Sequence, residues 1–136
     1  MTRRVLVIDD EPALRRTLQR ALTNLGYEVA SVAHPNSAYQ ILAESDFDLV
    51  LLDLRLPEIP GDTLFLAIVR RWPRLLGRVI LMSGDLFAPQ PEWPAELLQC
   101  PVLHKPFSLD ILAKMVGDVL AAAEPTRDLL EGNGNS

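Results

Sequence analysis

A single cysteine, Cys100, stands among the 136 residues, so no internal disulfide framework can form and the chain suits a reducing compartment. No apolar run approaches the roughly 18 to 20 residues that a membrane span needs. Met1-Thr2-Arg3-Arg4 leads into only four apolar residues before two aspartates, which is too short for the core of a signal peptide and reads like a native N-terminus. A cytoplasmic protein without membrane contact is therefore expected. Basic residues are also short: 13 Lys and Arg against 18 Asp and Glu give a net charge of −5. Non-specific nucleic-acid binding needs clustered cations to displace counterions from phosphates, so direct contact with nucleic acid is not expected. What the chain does have is apolar material, at 49% hydrophobic and 23% charged. That is enough for one self-sufficient core at the common size of one domain.

Three short apolar runs stand out, Val5 to Ile8, Leu49 to Leu52 and Val79 to Met82, with two weaker ones at Tyr27 to Val32 and Val102 to His104. Continuous hydrophobicity over so few residues points to strands covered on both faces, as in a parallel sheet. Between them lie helical spacings. Leu14, Leu18, Ala21, Leu22 and Leu25 mark a first helix, with Pro12 at its first position and Gly26 just past its end. Ala38, Ile41 and Leu42 mark a second after Pro35, and Leu64, Ala67 and Ile68 a third that Pro73 ends. Leu109 to Leu120 carries a last one, with Ser108 as N-cap and Asp110 in its first turn. Pro89, Pro91 and Pro94 rule out a full helix between Asp85 and Leu98 and leave room only for a late turn from Pro94 to Leu98. After Glu124-Pro125 the chain turns polar, so residues 1–124 are expected to form the domain and 125–136 a flexible tail or linker stub. The alternation is strand–helix repeated five times, which favours a parallel sheet with helices on both faces and ligands at the carboxyl ends of the strands.

Those ends are polar. The first strand runs into Asp9, Asp10 and Glu11, the third into Asp53, the fourth into Ser83-Gly84-Asp85, and the fifth into His104-Lys105-Pro106. Any one of these could be a solvated loop start. Together they deliver carboxylates, a hydroxyl and an amine to one edge. Two carboxylates about 5 Å apart repel by roughly 3 kcal/mol at an effective dielectric of about 20, so such a cluster calls for a cation. Hard oxygen ligands without His or Cys suit Mg²⁺. A metal site, a carboxylate nucleophile and a lysine are the parts that phosphoryl transfer uses.

The set Val5-Leu6-Val7-Ile8-Asp9-Asp10-Glu11, Asp53-Leu54-Arg55-Leu56-Pro57 with Gly61, Met82-Ser83-Gly84 and Lys105-Pro106-Phe107 resembles the receiver domain of two-component response regulators. The likeness spans roughly residues 3 to 123. It implies a doubly wound, flavodoxin-like sheet of five parallel strands in the order 2-1-3-4-5. It also implies that Asp53 is the phosphoacceptor, taking a phosphoryl group from a sensor histidine kinase or a phosphotransfer protein. Asp9, Asp10, Asp53 and the main-chain carbonyl of Arg55 match the Mg²⁺ ligands, and Ser83 and Lys105 the hydroxyl and amine that engage the phosphoryl oxygens. Pro106 would follow a cis peptide bond. Such a domain is not an enzyme in the ordinary sense, since it catalyses only its own phosphorylation and slow autodephosphorylation. Its output passes to a downstream protein target, and a homodimer formed on phosphorylation is a further partner.

Some positions depart from the resemblance or stand outside it. Val102 occupies the place where receivers often carry Phe or Tyr, and a stiff, small side chain cannot act as the usual aromatic relay. With the prolines of the fourth helix, this suggests a non-standard output face with Trp93 as a partner contact, or else a Trp93 that caps the core under a loop. Arg55 and Asp85 could pair across the mouth of the site. Glu11 is expected to do no more than precede Pro12, and His34, His104 and Cys100 to be bystanders. An aspartate-nucleophile phosphatase is disfavoured because Asp9 and Asp10 are adjacent and Asp53 ends another strand. A flavodoxin-like cofactor carrier is disfavoured because Asp9-Asp10-Glu11 would repel phosphate. A receiver cut from a longer regulator or hybrid kinase, or one that binds partners without phosphorylation, completes the alternatives.

Overall fold

The computed structural model of the chain describes residues 2–84 and 90–123. The strands are β1 (Arg4–Ile8), β2 (Glu28–Val32), β3 (Leu49–Asp53), β4 (Val79–Ser83) and β5 (Val102–His104). The α-helices are α1 (Pro12–Asn24), α2 (Pro35–Glu44), α3 (Gly61–Arg71), α4 (Ala95–Leu98) and α5 (Leu109–Ala123), with a 3-10 turn at Pro73–Leu75. All strand pairs are parallel and the sheet order is β2-β1-β3-β4-β5, the flavodoxin-like order expected. Among the described residues no helix is long and apolar enough to cross a membrane. The expected tail 125–136 and the start of the proline-rich stretch lie outside the described residues.

The continuous apolar runs conceal a period of two. Leu6, Ile8, Val50, Leu52, Val79 and Leu81 face one cluster with Ala38 and Leu42 of α2, Leu64, Phe65 and Ile68 of α3, and Leu97 of α4. Val5, Val7, Leu49, Leu51, Ile80, Met82 and Leu103 face the other with Leu18 and Leu22 of α1 and Leu112, Val116, Val119 and Leu120 of α5. Each face of the sheet is thus covered by helices, and a strand buried on both sides has no polar position to betray its pleat.

The element ends have local causes. Pro12 opens α1, and Gly26, at φ +99°, closes it, with Gly26 N–H bonded to Thr23 O and Tyr27 N–H to Leu22 O. The bond to Leu22 claims the Tyr27 backbone for the helix end, so β2 begins at Glu28 rather than at Tyr27 as the apolar run suggested. Arg4, Asp53 and Ser83 extend three strands beyond their apolar runs, because the ladder needs backbone groups and not apolar side chains. Helix α3 stops at Arg71, and Pro73 starts the 3-10 turn. The fourth helix is reduced to four residues after Pro94, anchored by Leu97 at 1% exposure. Ser108 Oγ accepts from Ile111 N–H at 3.1 Å and caps α5 as expected.

Candidate functional site

Among the described residues only three polar or charged side chains are fully buried: Asp9, Asp53 and Ser83, at 0%, 2% and 6% exposure. All three stand at or just past the carboxyl ends of β1, β3 and β4. Alternation places Asp9 after Val5 and Val7, and Asp53 after Leu49 and Leu51, so both fall on the face covered by α1 and α5. Lys105 follows Leu103 with the same parity, and it reaches them. Its Nζ lies 2.9 Å from Asp9 Oδ2 and 3.3 Å from Asp53 Oδ2, although Asp9 is 96 residues away in sequence. The strand ladder fixes this convergence, with Lys105 N–H bonded to Ser83 O at 2.7 Å and Leu54 N–H to Met82 O at 3.0 Å. The Lys105–Pro106 peptide bond is cis, as the resemblance implies.

Asp10 is the more open member of a trio with Asp9 and Asp53, whose candidate ligand oxygens lie within 4.8 Å of one another. The other oxygens of the buried pair are tied down by main chain. Asp9 Oδ1 accepts from Glu11 N–H at 2.8 Å, and Asp53 Oδ1 from Arg55 N–H at 2.9 Å. The loop beyond Asp53 folds back on itself through an antiparallel bridge between Arg55 and Pro60 and a bond from Gly61 N–H to Leu54 O at 3.3 Å. Gly61 is required there, because a Cβ would stand 2.6 Å from Leu54 Cα and 2.8 Å from its carbonyl oxygen.

Burial is the main influence on Asp53 and raises its pKa; the Arg55 N–H opposes this, the Asp9 charge adds to it, and Lys105 lowers it. For Lys105, burial pulls the pKa down, but the bond to Asp9, the charges of Asp53 and Asp9 and the bond to Glu11 together outweigh it, and the net shift is upward. The arrangement has an excess of carboxylate over ammonium, the donors are all oxygen, and the trio fits a hard divalent cation.

Two contacts escaped the sequence. Glu11 does more than precede Pro12: its Oε1 lies 3.3 Å from Lys105 Nζ. Arg15 Nη1 donates to the Asp9 carbonyl at 2.7 Å, from the first turn of α1. Neither could be told from a solvated helix charge by spacing alone. His34 pairs with Glu58, and His104 is exposed at the end of β5. Half-buried Cys100 sits after α4, its thiol pushed up to about 11 by burial. Trp93 is half-buried against the first core cluster, as is Val102. That packing is the core contact of the capping arrangement, and the rest of the Trp93 ring stays solvent-accessible. Asp85, the expected partner of Arg55, lies outside the described residues.

Comparison with known proteins agrees with this geometry. The model of the response regulator receiver domain matches residues 5–117. The response regulator receiver protein CpdR of Brucella abortus is 32% identical over 124 residues, covering 89% of this chain and 99% of that protein. The transcriptional regulatory protein GlrR of Escherichia coli K12 is 29% identical over 124 residues, which is 91% of this chain but only 28% of GlrR. A solved signal receiver domain of an HD domain-containing protein from Pseudomonas fluorescens Pf-5 superposes with a TM-score of 0.78 at 25% identity, covering 91% of this chain and 98% of that one. With the sheet order, the acidic trio and the matched span in agreement, the chain belongs to the response regulator receiver domain family of two-component signalling.

Proposed function

We propose that this receiver is a phosphorylation-controlled switch or relay that takes a phosphoryl group on Asp53 from a phosphohistidine of a sensor kinase or phosphotransfer protein. The observation that carries it is the pair of buried carboxylates, Asp9 and Asp53, bridged by the Lys105 ammonium. Burying two like charges side by side is costly, and a fold keeps such a pair where function uses it. Asp9, Asp10, Asp53 and the main-chain carbonyl of Arg55 would hold Mg²⁺, which when bound supplies the positive charge that offsets carboxylate and phosphoryl oxygens. In the transfer, an Asp53 carboxylate oxygen forms the new bond to phosphorus as the bond from phosphorus to the donor imidazole breaks, and the imidazole nitrogen leaves with the electron pair. Lys105 exchanges its ion pair with Asp53 for one with the phosphoryl oxygens. The Ser83 hydroxyl donates to another of those oxygens. Water later releases phosphate and restores the carboxylate.

Residues 1–124 would form this unit and 125–136 a tail or a linker. CpdR, a receiver protein matched over nearly its whole length, is an instance of such a unit standing as a protein by itself. The chain spans 28% of GlrR, and a DNA-directed output would belong to parts of such a regulator outside the receiver. Incubation of the full chain with a small phosphodonor and Mg²⁺, followed by intact mass, is expected to show a gain of one phosphoryl group. The gain should vanish when Mg²⁺ is chelated and in Asp53→Asn. An unmodified wild type, or full labelling of Asp53→Asn, overturns the assignment.

A further inference from the structure

The Lys105 ammonium has three N–H donors and no acceptor, and three carboxylates surround it: Asp9 at 2.9 Å, Glu11 at 3.3 Å and Asp53 at 3.3 Å. Two of the three, Asp9 and Asp53, also belong to the acidic trio, whereas Glu11 does not. A divalent cation at the trio competes for the oxygens that Lys105 uses and repels the ammonium at close range. Lys105 is largely buried, with 15% of its side chain exposed, so it cannot simply swing into bulk water. It needs another anion within reach. Glu11 has its backbone fixed, with its N–H on Asp9 Oδ1 and its carbonyl accepting from Arg15 N–H at 3.0 Å, immediately before Pro12. Its side chain is 61% exposed and projects a carboxylate on a flexible stem.

We propose that Glu11 is a positioning residue that takes over the Lys105 ammonium when a cation draws on Asp9 and Asp53, so that metal entry does not expel the lysine from the site. This rests on the reading of Asp9, Asp10 and Asp53 as the cation site. Without Glu11, Lys105 competes with the metal for Asp9 and Asp53. With Glu11, the ammonium moves toward the rim and stays aimed at the position an incoming phosphoryl group would occupy. The ordinary alternative is an exposed ion pair of little consequence, whose only effect on a cation is that of one more negative charge nearby.

The two are separated by a double-mutant cycle read by calorimetric titration of Mg²⁺ into the full chain. Glu11→Gln is expected to weaken Mg²⁺ binding about fivefold when Lys105 is present and less than about twofold in a Lys105→Met background, the non-additivity expected of groups in contact. Equal factors in the two backgrounds would reduce Glu11 to a distant charge and overturn the proposal. Glu11→Asp, which keeps the charge but withdraws it by one methylene, should bind Mg²⁺ nearly as weakly as Glu11→Gln. Wild-type affinity in Glu11→Asp would likewise overturn it, and this comparison does not depend on the Lys105→Met protein folding. A wild type that binds no Mg²⁺ sinks the cation site itself, which is a different result from an additive cycle on a protein that does bind.

Discussion

Asp53 and Lys105 each experience burial and pairing as opposed forces, and the outcome differs. At Asp53 burial wins and the carboxyl is raised; at Lys105 the surrounding carboxylates win and the ammonium is held more firmly protonated. Removing the lysine would leave two buried carboxylates facing each other, which is why its role cannot be separated from theirs. Cys100 presents the simpler case, with burial alone lifting the thiol from 9.0 to about 11. A group whose folded pKa lies above its unfolded value favours the fold fully below about 9, and that contribution is lost as pH rises through about 11. Cys100 alkylation by iodoacetamide at pH 8 should therefore run at least tenfold more slowly in the native chain than in urea, and should climb steeply only toward pH 11. Equal native and denatured rates at pH 8 would contradict this account of the thiol.

Two glycines show how element ends position the site, and they differ in kind. Gly26 needs its positive φ, yet a Cβ there meets no atom within 4 Å. Gly61, the first residue of α3, has ordinary backbone but no room beside Leu54, which precedes Arg55 in the loop after β3. Gly26→Ala should cost about 1 kcal/mol through left-handed backbone strain and leave Mg²⁺ binding alone. Gly61→Ala should cost about 2–3 kcal/mol and weaken Mg²⁺ binding, since relief of the clash displaces the Arg55 backbone. Urea unfolding and Mg²⁺ calorimetry on both variants check the contrast, and a Gly61→Ala protein with wild-type affinity and stability would contradict it. At this scale the sequence was informative wherever chemistry is local. Pro12, Gly26 and Ser108 mark their helix ends by backbone geometry or a cap, and three prolines leave α4 only the turn after Pro94. It was uninformative where an end is decided by a competing bond, as at Tyr27, whose N–H caps α1 and so cannot start β2.

Over the whole molecule, the sheet brings together groups that lie up to 96 residues apart, and this convergence was readable because each stands directly after an apolar run. Asp9, Asp53, Ser83 and Lys105 could be listed from those positions before any coordinates. The partnership of Glu11 with Lys105 could not, because it depends on side-chain reach across 94 residues rather than on strand ends. The pleat was hidden for a related reason. With α1 and α5 on one face and α2, α3 and α4 on the other, the central runs of β1, β3 and β4 are apolar on both faces, and only the structure assigns Asp9, Asp53 and Lys105 to the same side. The acidic trio is thus a product of topology. The most direct measurement of the central claim localises the covalent product on the full chain. After treatment with a small phosphodonor and Mg²⁺, borohydride reduction of an aspartyl phosphate leaves homoserine, which peptide mass spectrometry can place. Homoserine is predicted at residue 53 alone; reduction product at another carboxylate, or none at residue 53 after complete labelling, would contradict the account.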